Sequence, residues 1–97
     1  MHINEFAKDV HKVAKEKGWW EPDITFEARL LNLHTEISEL ADAWAKGKIR
    51  KAQEEGGDIG LRLLDLFEGM GWDLEKTMIL KHNYNKTRTY RHGGKKF

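Results

Sequence analysis

A single proline, Pro22, interrupts the 97 residues, and the apolar residues on either side of it recur with the period of a helix. No stretch shows the apolar–polar alternation of a half-buried strand, so the expectation is an all-α domain. The chain is long enough for one domain, 1–97, and no internal repeat or low-complexity segment divides it. A chain this short buries a modest share of its surface, so oligomerisation is a natural supplement.

Four helices follow from the punctuation. The first is expected over about residues 4–17, capped by Asn4, with Phe6, Val10, Val13 and Ala14 on one face and Gly18 at its end. Trp19-Trp20-Glu21-Pro22-Asp23 is a connector, and Asp23 or Thr25 can start the second helix. That helix should run over roughly 25–46, with Leu30, Leu33, Ile37, Leu40, Ala41 and Trp44 as its apolar stripe. Gly47-Lys48 is a short turn, which implies an antiparallel hairpin with a third helix over roughly 49–70. The third stripe is Ile59, Leu63, Leu66, Phe67 and Met70. Asp73 caps a fourth helix that reaches about residue 85.

The two hairpin helices each carry an acidic pair. Glu36 and Glu39 lie on the second helix, Glu55 and Asp58 on the third, each pair at i, i+3 spacing and so on neighbouring points of one face. At 100° per residue Glu36 lies about 90° and Glu39 about 150° from the centre of its stripe. Glu55 lies about 80° and Asp58 about 140° from theirs, again on one side. Taken singly, each pair reads as solvated helix charge. Brought together, four carboxylates repel and shift each other's protonation unless a cation sits among them. Oxygen-only ligands suit a hard ion, Mg2+ with Mn2+ as a possible substitute, and magnesium so held keeps positions open for substrate phosphates.

Gly56, Gly57 and Gly60 each cost ~1 kcal/mol relative to alanine inside a helix, so another helix or a ligand is expected to come close there. No histidine lies three residues after a glutamate, which weighs against a Glu-x-x-His di-iron site. Charge is segregated. Residues 1–75 hold all 16 acidic residues and 10 of the 17 basic ones, a balance of −6, whereas residues 76–97 carry +7 and no acid. The basic end calls for an anionic partner: a nucleotide's phosphates, a nucleic acid or the acidic body itself. Cysteine is absent, which excludes disulfides and thiolate metal sites. No apolar run approaches the ~20 residues of a membrane span. Met1-His2-Ile3-Asn4-Glu5 lacks the pattern of a secretory signal, so a soluble, cytoplasmic protein is expected.

These residues resemble the MazG-like nucleoside triphosphate pyrophosphohydrolases of the all-α NTP pyrophosphatase superfamily. The likeness rests on Glu36-x-x-Glu39 and Glu55-x-x-Asp58 with fifteen residues between them. It extends through His34–Leu40, Asp58–Leu66, Lys81–Arg88 and Tyr90–Lys96, and so covers about residues 25–97. Gly56 and Gly60 depart from it, standing where larger apolar residues are usual.

The resemblance implies a four-helix-bundle-like domain assembled as a dimer or tetramer, with sites near subunit boundaries. It implies Mg2+-dependent cleavage of a (deoxy)nucleoside triphosphate to monophosphate and pyrophosphate, in the service of nucleotide house-cleaning. Glu36, Glu39 and Asp58 would be the main metal ligands, and Glu55 would complete the shell or orient the attacking water. Trp20, ahead of Trp19, would stack on the base, while Trp44 and Trp72 pack. Lys81, Asn85, Lys86, Arg88, Arg91, His92 and Lys95 would surround the triphosphate, arginine by forked hydrogen bonds and lysine as a point charge. The rival reading is a non-enzymatic nucleic-acid-binding or interaction module that uses the basic segment 86–97. It leaves the paired acids without a role, so nucleic acid is not the expected partner.

Overall fold

The computed structural model describes residues 2–96 and, among them, places helices and no strand. The order is α1 (Ile3–Glu16), α2 (Phe26–Ala45), α3 (Ile49–Gly69), α4 (Leu74–Lys86) and a single terminal turn, α5 (Arg91–Gly94). Three glycines make the breaks between the long helices, Gly18, Gly47 and Gly71, all at positive φ (+86°, +72° and +72°) that costs glycine little. Thr25 caps α2 by accepting from Ala28 N–H, and Asp73 caps α4 by accepting from Lys76 N–H.

The cap expected from Asn4 goes elsewhere. His2 stands at the start of α1 without a side-chain cap, and Asn4 lies within the helix. Its side chain turns to α4: Oδ1 accepts from Glu75 N–H and Nδ2 donates to Asp73 Oδ1. Glu75 Oε1 in turn accepts from Ile3 N–H.

α2 and α3 form the antiparallel hairpin. Glu36 meets Arg62 and Leu40, nearer the connecting turn, meets Gly56, so numbers rise on one helix as they fall on the other. α1 lies antiparallel to α3, with Asn4 at Asp73 and His11 at Asp65. α3 is therefore the central helix, flanked by α2 and α1. No helix among the described residues is long and apolar enough to cross a membrane.

The core is small. Ala7, Ala43, Ala52, Leu66 and Leu74 are its buried apolar residues. The stripe expected on α2 is rotated: Leu33, Leu40 and Ala43 turn towards α3 together with Glu36, while Leu30, Ile37 and Trp44 stay exposed. Glu36 and Glu55 are thus enclosed between the hairpin helices, where the expectation had both to one side of the apolar stripes. Counter-charges from α3 make that tolerable, as shown below. The glycines of α3 also differ from expectation. A methyl at Gly57 or Gly60 would meet nothing within 4 Å, and one at Gly56 would touch only a Leu40 methyl at 3.7 Å.

α4 is held by its first turn, where Leu74 is buried, and then leaves Met78, Ile79, Leu80 and Tyr84 exposed. The radius of gyration, 15.8 Å, accordingly exceeds the roughly 12.5 Å of a compact chain of this length.

Candidate metal centre

Glu36, Glu39 and Glu55 each offer a carboxylate oxygen, and these oxygens lie within 4.8 Å of one another. The i, i+3 spacing on α2 and the antiparallel crossing of α3 bring them together. Glu36 is 8 % exposed and Glu55 3 %, while Glu39 faces solvent. The Oε2 atoms of Glu36 and Glu55 are buried and accept no hydrogen bond from the protein. Buried polar atoms in folded proteins nearly always have a partner, so two such oxygens in one cluster ask for one.

Two cations bracket the cluster. Arg62 Nε donates to Glu36 Oε1 at 3.0 Å, and its Nη2 lies 3.0 Å from the same oxygen. Lys51 Nζ lies 3.0 Å from Glu55 Oε1. The two glutamates respond in opposite directions. The Glu55 carboxyl beside it, then burial and the charge of Glu39 raise the pKa of Glu36 above its ordinary value, although Arg62 opposes this. Lys51 first, then the neighbouring Glu36 carboxyl, holds Glu55 below its own. Lys51, facing Glu55, is raised in turn. This donor set fits a hard divalent cation: oxygen only, converging, and partly without protein partners.

Asp58, expected as a ligand, lies outside the three-glutamate group and is exposed. It lines a cavity of about 230 Å³ with Val13, Trp19, Asn32, Arg62 and Asp65. On the loop side Thr35, Ser38, Glu39, Lys51 and Glu55 line a polar groove. The glutamates therefore stand between two recesses, with Arg62 reaching one and Lys51 the other.

Trp20 is held away from the cavity. Its Nε1 donates to both oxygens of Asp65, at 2.8 and 3.0 Å, and Arg29 stacks 3.6 Å over its ring. His11 meets the same ring edge-on, at 4.9 Å, and its Nδ1 is 2.8 Å from Asp65 Oδ1. Trp19 is the tryptophan in the cavity wall, with the Arg62 guanidinium 5.4 Å from its ring centre.

Lys81, Asn85, Lys86 and Arg88 lie on or just beyond α4, which packs on α1 and α3, and they are not brought to the glutamates. Lys81 and Arg88 instead flank the Tyr84 ring, at 4.9 and 5.6 Å. Arg91 and Lys95 are exposed at the terminal turn, and the side chain of His92 lies outside the described residues.

Sequence reasoning missed Arg62 and Lys51. Lys51 was legible, being four residues before Glu55 on one helix. Arg62 is 26 residues from Glu36 and carries no local signal.

Fold and cluster together define an all-α protein with a candidate carboxylate metal centre beside a small cavity. No protein-family model, curated protein or solved structure matches the chain.

Proposed function

We propose that the chain is a Mg2+-dependent nucleotide pyrophosphohydrolase of the MazG-like kind. One observation carries the reading: two buried glutamates with unpartnered oxygens converge with a third beside a cavity walled by a tryptophan. Glu36, Glu39 and Glu55 would hold the cation, with Asp58 one turn along α3 towards the substrate. A bound Mg2+ supplies charge neutralisation and a more acidic water. The chain's own groups do the rest. Trp19 offers a face for a base, Asn32 and Asp58 offer hydrogen bonds inside the cavity, and Arg62 offers a forked donor to phosphate. Water would add across the α–β phosphoanhydride, giving monophosphate and pyrophosphate. The resemblance supplies that choice of bond, and with it the role of clearing surplus or non-canonical nucleotides.

The reading includes a homo-oligomer, a dimer or a tetramer. Leu30, Ile37 and Trp44 on α2 and Ile49 on α3 are 43–67 % exposed, which is much apolar surface for a small domain to leave in water. A second copy would cover it and could supply the basic α4 that this chain does not bring to its own site.

Pyrophosphate release from all canonical triphosphates, with and without Mg2+, tests the proposal. Release that requires Mg2+ is expected. No release from any of them, together with strongly salt-dependent binding to polymer, would favour nucleic-acid binding by the basic segment instead.

A further inference from the structure

Arg62 belongs both to the acidic cluster and to the cavity wall. Its Nε donates to Glu36 Oε1 and its Nη2 lies 3.0 Å from that same oxygen, while the other oxygen of the carboxylate stays unpartnered and buried. The guanidinium is also part of the cavity wall, facing the Trp19 ring, and the arginine side chain is a third exposed. It thus joins the acidic cluster to the recess where a ligand would lie. A second cation beside a carboxylate weakens the hold of the first, and like charges at such range repel. Arginine cannot escape the conflict by losing its proton. A divalent ion entering the cluster would therefore compete with Arg62 for Glu36.

We propose that Arg62 is an exchangeable counter-cation: it neutralises Glu36 when no divalent ion is bound, and when one binds it turns to a phosphate-bearing anion in the adjoining cavity. This rests on reading the three glutamates as a metal centre. The exchange makes metal and anion binding cooperative through a side chain, in addition to any direct contact between the two, and the coupling is reciprocal. Lys51 does not share the role, because it faces the polar groove and not the cavity.

Two measurements on the intact protein test this. The first is Mn2+ affinity without nucleotide, by calorimetry at pH 8, for wild type, Arg62→Gln, Arg62→Lys and Glu39→Gln. Arg62→Gln removes the competitor and should bind Mn2+ about fivefold more tightly or better, the low end of ordinary site coupling. Arg62→Lys keeps the charge and should stay near wild type. An Arg62→Gln affinity that is unchanged or weaker overturns the exchange.

The second follows the Arg62 side-chain Nε–H by NMR in the wild type, assigned by its loss in Arg62→Lys. Mg2+ should shift this signal, and inorganic phosphate should shift it again only when Mg2+ is present. A signal indifferent to saturating Mg2+ overturns the proposal. If wild type binds Mn2+ and Glu39→Gln does not, the metal centre stands whatever Arg62 does. If wild type binds no Mn2+, both readings fall.

Discussion

Asn4 and Glu75 cap each other's helices. Asn4 Oδ1 accepts from Glu75 N–H at 3.2 Å, and Glu75 Oε1 accepts from Ile3 N–H at 3.0 Å, across 71 and 72 residues of chain. Each side chain satisfies a donor that the partner helix leaves free in its first turn. The exchange ties the start of α1 to the start of α4, where α4 is held to the body. The hydrogen bond from Asn4, with that from Lys76 N–H, also holds the Asp73 carboxyl below its ordinary range.

Removing either cap should destabilise the fold by about 1 kcal/mol, the usual size of a lost N-cap. Asn4→Ala and Glu75→Ala should not add, since both act on one motif. Urea unfolding of the two single variants and the double variant measures this. Strict additivity would mean that the reciprocal bonds are not formed together in solution.

Gly69 and Gly57 should respond in opposite ways to alanine. A Cβ at Gly69 would stand 2.0 Å from the Trp20 ring, which Asp65 and Arg29 hold in place. Overpacking of this kind costs roughly 1–3 kcal/mol. A Cβ at Gly57 would meet nothing within 4 Å, so Gly57→Ala should gain about 0.5–1 kcal/mol from helix propensity. Thermal melts of the two variants decide it.

Glu39→Gln should abolish Mg2+-dependent hydrolysis with little effect on folding. Glu39 is the exposed member of the cluster, and the change keeps its shape while removing a charge the cation needs. Near-wild-type turnover at saturating Mg2+ would remove Glu39 from the centre.

The stabilisation given by Mg2+ should depend on pH. With no divalent ion bound, Glu36, whose pKa is raised from 4.5, favours the fold at low pH and loses that contribution as pH rises through its folded value. Glu55, lowered from 4.5, contributes above that value and loses its contribution as pH falls through its own folded value. A divalent ion needs both ionised. The rise in melting temperature on adding Mg2+ should therefore grow as pH climbs past the raised Glu36 value and shrink below it. A shift of the same size at every pH, matched by sodium at equal ionic strength, would leave only general screening.

Ile37→Glu with Trp44→Glu should convert an oligomer to a folded monomer. Both side chains are about half exposed or more, so the fold of a single chain loses little, while a covered apolar face would gain unpaired charge. Light scattering at micromolar concentration reads the mass. A wild type that already runs as 11.4 kDa would remove the shared-site idea.

Helix periodicity, Gly18, Gly47 and Gly71, and the caps at Thr25 and Asp73 made the four helices and their hairpin readable from sequence. These signals are local, arising within one or two turns of chain. The acidic pairs were equally plain, because i, i+3 spacing is itself a statement about one helix face.

Rotation of α2 was not readable. Two apolar stripes are available on it, one through Leu33, Leu40 and Ala43 and one through Leu30, Ile37 and Trp44, and periodicity alone favoured a centre between them. Tertiary structure chose the first, and there the buried Glu36 meets Arg62 from α3. Asp58 lies apart from the three glutamates, and Trp19, not Trp20, lines the cavity. Trp20 was decided by Asp65, His11 and Gly69, each at least nine residues away in sequence. Which elements form followed from neighbours along the chain. Which faces meet, and so which charges are buried together, depended on partners that only folding brings into reach.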